Sequence, residues 1–146
     1  MQSLTRPFGQ LHVQIDGPNT APTVVFANSL GTDLRLWDQV LPLLPQGLRF
    51  ARYDKRGHGL SDLGGGNQID DHAEDAIALI EALNCGPVVF VGLSIGGLIG
   101  PLRVALFSAP TMDLAAAGME TQSLGAVIAA LTGISLATAS LYSVVI

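Results

Sequence analysis

A serine between two glycines is the residue whose setting most clearly predicts chemistry. The sequence G-L-S-I-G occupies positions 92–96 and follows the strand-forming run P-V-V-F-V at 87–91. Where such a strand ends at G-x-S-x-G and a helix follows, the chain turns sharply, and the glycines let the turn close without Cβ clashes. The pattern predicts Ser94 as an exposed nucleophile, with Gly92 and Gly96 as the glycines of the turn.

The chemistry of a serine nucleophile requires further groups around it. A neutral hydroxyl attacks poorly, so it needs a base within hydrogen-bond reach and donors for the oxygen that becomes negative during attack. The backbone N–H of Ile95 is predicted to supply one donor. A polar turn at 28–31 follows the apolar run 23–27, and the N–H of Leu30 is predicted to supply the other. The alternative for both turns is an ordinary strand-to-helix connection.

Alternating strand and helix patterns surround these turns and predict an α/β fold with a parallel sheet. Apolar periodicity predicts strands at 11–15, 23–27, 49–53 and 87–91 and helices at 33–44 and 71–83. Pro42 interrupts the first helix, and Trp37 on its apolar stripe is predicted to be a core residue. Asp71 and Glu74 have the spacing of a capping box at the start of the second helix.

Other reactive residues are predicted to be structural. His12 lies on the polar face of strand 11–15, which is expected at the sheet edge, and His58 precedes the serine, whereas the base of a strand-turn-helix hydrolase follows it. The acidic residues and histidine at 70–75 are predicted to be a solvated helix start rather than a metal site. Cys85 is the only cysteine, which excludes an internal disulfide, and it is predicted to be an unreactive thiol.

Composition limits the class of protein. The chain has 146 residues, 49% of them hydrophobic and 13% charged, which fits one domain with a sizeable core. Its net charge of −5 and its lack of basic runs argue against nucleic acid or an anionic membrane as partner. The first ten residues lack the apolar core of a secretory signal, so a cytoplasmic location is expected. The oligomeric state is left open.

Three segments together resemble the α/β-hydrolase family: N-S-L-G-T-D-L-R-L-W-D at 28–38, Y-D-K-R-G-H-G-L-S at 53–61 and G-L-S-I-G-G at 92–97. Within the family they are most similar to 3-oxoadipate enol-lactonases, and the turn at 28–33 carries that assignment. Carboxylesterases and perhydrolases of the same fold are the alternative.

The resemblance covers roughly residues 8–100. It implies Ser94 as nucleophile and the N–H groups of Leu30 and Ile95 as the oxyanion hole. It also implies a cytoplasmic hydrolase that opens a small enol-lactone in the β-ketoadipate route of aromatic breakdown. No metal or organic cofactor is implied.

The sequence departs from the family pattern after residue 100. Pro101 is predicted to stop the helix that follows the serine after about a turn and a half, and 104–108 resembles a family strand that arrives early. The sheet is therefore expected to be truncated after the serine turn, with a partial domain at 1–110 and an apolar, charge-poor tail at 111–146. The family's acid and histidine would lie beyond these residues, so impaired activity is expected, or a non-catalytic remnant.

The tail leaves several interpretations open. Residues 121–146 are long enough to span a bilayer and carry small residues at four-residue spacing, but they lack flanking basic or tryptophan anchors. A buried alanine-rich helix is a second interpretation. A third, which the sudden fall in charge favours, is an end produced by a lost reading frame. Asp113 is a candidate acid only if a histidine orients it.

Overall fold

The computed structural model describes residues 2–104 and 139–144, which form one six-stranded sheet with helices packed on it. The strands are β1 (Gln2–Arg6), β2 (Gly9–Asp16), β3 (Thr23–Ala27), β4 (Arg49–Tyr53), β5 (Val88–Leu93) and β6 (Ala139–Val144), in the spatial order β1-β2-β4-β3-β5-β6. The helices are α1 (Ile69–Leu83) and α2 (Ile95–Val104), with 3₁₀ turns at Leu34–Trp37 and Leu41–Leu43. The predicted α/β class is confirmed.

The centre of the sheet is parallel and its flanks are antiparallel. Strands β4, β3 and β5 run parallel, whereas β1 with β2, β2 with β4 and β5 with β6 run antiparallel. The sheet is thus mixed rather than parallel throughout. Strands β3 and β5 are buried at every position, because helical segments cover both faces of a central parallel sheet.

The sequence predicted that strand β2 lies at the edge of the sheet, and this prediction is wrong. It lies between β1 and β4, and β1 forms that edge. The sequence of β1 is largely polar and exposed, so it lacks the apolar alternation that marks a strand. The consequence for the site is that His12 on β2 lies inside the sheet rather than at its margin.

Helix α1 begins earlier than predicted. Its N-cap is Gln68, whose side chain accepts from the backbone of Asp71 while the Asp71 carboxylate accepts from the Gln68 N–H at 2.8 Å. The capping box therefore joins residues 68 and 71, not 71 and 74. The buried face of α1, which includes Leu79 and Ile80, packs against side chains of β2, β3, β4 and β5.

Helix α2 continues through Pro101 to Val104, whereas the sequence predicted an earlier stop. A proline inside a helix removes one hydrogen bond, and packing of α2 against α1 and β5 accompanies its continuation here. Val104 is therefore helical rather than the first residue of a strand. The remainder of the predicted strand at 104–108 lies outside the described residues.

The predicted helix at 33–44 is instead two short 3₁₀ turns. Pro42 lies in the second turn and cannot donate the backbone hydrogen bond that a continuous α-helix would need. Trp37 is fully buried beside Phe26, with ring centroids 4.9 Å apart, so its predicted core role is confirmed.

Only residues 139–144 of the predicted tail are described, and they form β6 beside β5. The expectations for 105–138 and 145–146, including Asp113 and most of the candidate membrane segment, lie outside the described residues. In the ranges 2–104 and 139–144, no helix combines the length and apolarity that crossing a bilayer requires.

Candidate active site

Ser94 lies on the single-residue turn between β5 and α2. Its side chain is exposed, and its backbone has a φ of 56°, in the left-handed region that non-glycine residues rarely adopt. Such a conformation costs on the order of 1–2 kcal/mol and persists only where its surroundings impose it. The serine is therefore outside any continuous helix, and its hydroxyl is held at the carboxyl end of β5.

The two glycines of the motif allow this turn to pack closely. A Cβ at Gly92 would overlap the carbonyl oxygen of Gly96, and a Cβ at Gly96 would overlap the carbonyl oxygen of Ala27 on β3. Both overlaps involve backbone atoms, which cannot rotate away as a flexible side chain could. The strained serine turn is thus fixed by backbone contacts that only glycine permits.

Three turns meet at the same edge of the sheet as Ser94. Ala27 on β3 is level with Tyr53 on β4 and with Gly92 on β5. Because these strands are parallel, the segments that follow them, 28–33, 54–62 and the turn at residue 94, leave the sheet at the same end, where the strands' carboxyl ends lie. The sequence-predicted residues Leu30 and Ser94 are therefore on neighbouring strands' turns at that edge.

The turn at 28–33 is held by its own polar groups. The Thr32 hydroxyl donates to the Ser29 carbonyl oxygen at 2.8 Å, and the Asn28 amide donates to the Thr32 carbonyl oxygen at 2.7 Å. The Leu30 side chain is 64% exposed, and within the described residues its N–H donates no hydrogen bond. Ile95 is the first residue of α2, so its N–H has no acceptor within the helix. Both predicted donors are thus backbone groups at this edge.

A buried lysine lies beneath that turn. Lys55 follows β4, is fully buried, and donates to the carbonyl oxygens of Asn28 and Ser29 at 2.8 Å each. Burial lowers the pKa of Lys55 to about 8, and the negative charge of Asp54 opposes that shift. The cation therefore joins the turn after β4 to the turn after β3.

Asp54 is the acceptor at the centre of a second set of contacts. Its buried carboxylate accepts from the backbone N–H of Leu34 at 2.7 Å and of Leu60 at 2.9 Å, and it lies 2.7 Å from Nδ1 of His12. A Cβ at Gly59 would overlap this carboxylate, which explains the glycine there. His12 is thus paired with a buried acid, contrary to the prediction of a solvated strand residue.

A cavity of about 250 Å³ opens beside this pair. It is lined by His12, Asp33, Leu34, Arg35, Asp54, Gly59 and Leu60. Two strand spacings of about 4.8 Å separate β4 from β5, so the pair lies on the order of 10 Å from the serine turn. The cavity is therefore beside the candidate site on the same edge, rather than at the serine.

The chain has three histidines, all in the described residues, and Ser94 is hydrogen-bonded to none of them. Nδ1 of His58 lies 3.1 Å from the Arg56 carbonyl oxygen, within the turn after β4. His72 on α1 is 2% exposed, and burial lowers its pKa, as do the nearby cations of Lys55 and Arg56. Among the described residues, the serine and the two N–H groups lie on segments at the same end of the sheet, and no histidine is hydrogen-bonded to the serine.

The acidic cluster at 70–75 is used structurally. Asp75 is buried and accepts from Arg56, with nitrogen–oxygen distances of 2.7 and 2.8 Å, and from Arg6 at 2.9 Å. The hydrogen bonds that Arg56 donates to Asp75 raise the pKa of Arg56, whose guanidinium also lies 4.4 Å from the Phe8 ring centroid. Asp71 caps α1. Among the described residues, no group of three or more histidine, cysteine, aspartate or glutamate side chains could hold a metal ion.

Sequence reasoning missed Lys55, Asp54 and the contact of His12. The contacts of Asp54 with His12 and of Lys55 with the turn at 28–33 join residues 26 to 42 positions apart, so no local spacing reveals them. The available signal was the position of Asp54 and Lys55 directly after a central parallel strand, where a sheet places its functional side chains.

Comparison with known proteins identifies related sequences and folds. A model of the alpha/beta hydrolase family matches residues 24–143, further than the limit near residue 100 set by the motifs alone. A 3-oxoadipate enol-lactonase of Acinetobacter baylyi is 39% identical over 116 residues, covering 77% of this chain and 44% of that protein. A bifunctional esterase/perhydrolase of Acinetobacter calcoaceticus is 37% identical over 83 residues, covering 56% of this chain and 30% of that protein.

A solved structure has a similar fold. The enol-lactonase from Burkholderia xenovorans has a TM-score of 0.61 and 40% sequence identity, with 66% of this chain and 38% of that chain covered. The chain spans less than half the length of these relatives.

Proposed function

This chain is a member of the alpha/beta hydrolase family, and from that premise we propose that the whole protein hydrolyses a small carboxylic ester or lactone with Ser94 as nucleophile. The observation that carries the proposal is the exposed serine with a left-handed φ between β5 and α2. An enol-lactone of the 3-oxoadipate type is the proposed substrate, supported by the similarity to the lactonase of Acinetobacter baylyi.

The proposed reaction proceeds through an acyl-enzyme. The Ser94 oxygen bonds to the lactone carbonyl carbon as its proton passes to a base, and the carbonyl oxygen becomes negative. The N–H groups of Leu30 and Ile95 donate to that oxygen. The ring carbon–oxygen bond then breaks, the leaving oxygen takes a proton, and water hydrolyses the acyl-enzyme to release the acid. No metal or organic cofactor enters this scheme.

We expect residues 1–146 alone to react slowly. The chain's three histidines have other surroundings: His12 is paired with Asp54, His58 faces a backbone carbonyl and His72 is buried on α1. Loss of the base costs a triad enzyme several orders of magnitude in rate. A cytoplasmic location and the absence of nucleic-acid partners are part of this proposal.

Prolonged labelling with an excess of an activated fluorophosphonate tests the role of Ser94, because an exposed serine beside oxyanion donors reacts with this reagent slowly even where no base accelerates the attack. Intact mass and peptide mapping should place one phosphonyl group on Ser94, and Ser94→Ala should abolish it. Ser3→Ala, at an exposed serine on β1, is the matched control and should label normally. Equal labelling of Ser94→Ala and the unmodified chain would refute the assignment.

An ester other than a lactone is the second candidate substrate, supported by the similarity to an esterase/perhydrolase. Hydrolysis rates of the enol-lactone and of p-nitrophenyl acetate, measured on the same preparation, separate the two. A higher kcat/KM for the acyclic ester would favour the esterase assignment.

A further inference from the structure

Lys55 is the only lysine in the chain, and it is fully buried. A buried cation costs free energy unless partners compensate it. Its ammonium nitrogen donates to the carbonyl oxygens of Asn28 and Ser29, the two carbonyls that precede Leu30. The cation is therefore placed against the peptide groups of one turn.

The geometry of a peptide bond makes one of these contacts directional. The Ser29 carbonyl and the Leu30 N–H belong to the same planar peptide group, and the described residues contain no cis peptide bond. In a trans peptide the N–H points opposite to the C=O. Because Lys55 binds the carbonyl from the interior, the Leu30 N–H points away from the interior.

We propose that Lys55 is a positioning residue for the oxyanion hole. It fixes the direction of the Leu30 N–H by holding the Ser29 carbonyl, and its positive charge polarises that peptide group so that the N–H is a stronger donor. The inference rests on the proposed function, since it takes Leu30 as a donor to the oxyanion. Lys55 itself contacts neither substrate nor Ser94 in this scheme.

The surroundings of Lys55 favour a charged, fixed group near neutral pH. The Asp54 carboxylate on the same turn favours the charged form, and burial opposes it, which gives a pKa of about 8. His72 on α1 also interacts with Lys55, and its pKa lies below the ordinary histidine value. His72 is therefore neutral over the range in which Lys55 titrates.

NMR of the unmodified chain tests the contact directly. With lysine labelled by ¹⁵N at the side chain, one signal reports Lys55, and the Ser29 carbonyl ¹³C and Leu30 amide signals are followed from pH 6 to 10.5. We expect all three to shift with one midpoint near 8, while the Pro18 carbonyl, which accepts from Ala21 at the far end of β3, does not. Ser29 and Leu30 signals that ignore the Lys55 midpoint would overturn the inference.

Lys55→Met tests the consequence for reactivity. The variant should reduce the maximal rate of fluorophosphonate labelling at Ser94 about tenfold, less than the loss of a whole oxyanion donor. The reagent concentration for half-maximal rate should change less than twofold, because the hydroxyl remains accessible. Arg35→Met, at an exposed cation on the same edge, should leave both values unchanged.

The NMR titration and the labelling experiment distinguish failure of this inference from failure of the proposed function. If the unmodified chain is not labelled, the role of Ser94 fails, while the NMR midpoint still decides whether Lys55 holds the turn. If Lys55→Met does not fold, the titration of the unmodified chain decides alone. Normal labelling of a folded Lys55→Met variant would overturn the positioning role.

Discussion

The two turns that flank the candidate site are held by different physical means. The serine turn at 92–96 is fixed by backbone atoms in close approach, and its two critical glycines have no side chain to bond. The turn at 28–33 is fixed by donated hydrogen bonds from Lys55, Thr32 and the Asn28 amide. One turn therefore depends on steric exclusion and the other on polar contacts, so substitutions should affect them differently.

The largest effect is expected where a side chain would overlap backbone. Gly96→Ala places a methyl against the Ala27 carbonyl oxygen and should lower the free energy of unfolding by about 3 kcal/mol, measured by urea denaturation. Gly47→Ala is the control, since Gly47 has open space around its Cα, and its positive φ of 83°, which Gly96 does not share, is the source of strain there. It should cost only about 1–2 kcal/mol. Equal losses would mean that packing does not fix the serine turn.

The next largest effect is expected at the acceptor beneath the polar turns. Asp54→Asn replaces one carboxylate oxygen by an NH₂ group facing donors, and should cost about 2–3 kcal/mol in the same urea experiment. Asp70→Asn, at an exposed position in the first turn of α1, is the control and should cost less than about 0.5 kcal/mol. If the two variants unfold at the same urea concentration, the Asp54 contacts do not stabilise the fold.

The sequence predicts those parts of the fold and site that depend on neighbouring residues, and it does not predict those that depend on contacts between separate strands. The serine turn was predictable from five consecutive residues, since glycine spacing and a preceding buried strand are local signals. Strand β4 was predicted with its observed limits, because its pattern is also local. The pairing of His12 with Asp54 and of Lys55 with the turn after β3 was not predictable, because each joins separate strands. Strand β1 and the continuation of α2 through Pro101 were also not predicted, because tertiary packing there outweighs local propensity.

A smaller effect is expected in the pH dependence of the free energy of unfolding, because Lys55 holds the turn at 28–33 and, among the described residues, no titrating group holds the serine turn in the same way. Between about pH 8 and the ordinary lysine pKa of 10.5, the folded chain binds fewer protons at Lys55 than the unfolded chain. The free energy of unfolding contributed by Lys55 therefore rises with pH in that window, by at most about 1.4 kcal/mol per pH unit. Lys55→Met should lose this rise, whereas Gly47→Ala should keep it. An identical slope in Lys55→Met would refute the lowered pKa.

The smallest effect is expected at the exposed rim. Arg35 pairs with Asp33 on the surface, and Arg35→Ala should leave the urea midpoint unchanged because solvent screens such pairs. The hydrogen bond from Arg35 lowers the pKa of Asp33, so that pKa should rise in the variant when followed by carboxyl ¹³C NMR. A stable Asp33 pKa would show that the pair does not persist in solution.

The most direct test of the account is a crystal structure of the fluorophosphonate adduct. If Ser94 is the nucleophile and the two amides form the oxyanion hole, the adduct has a phosphorus–oxygen bond at Ser94 and a phosphoryl oxygen about 3 Å from the N–H nitrogens of both Leu30 and Ile95. A phosphoryl oxygen directed to solvent, with neither amide in reach, would contradict it.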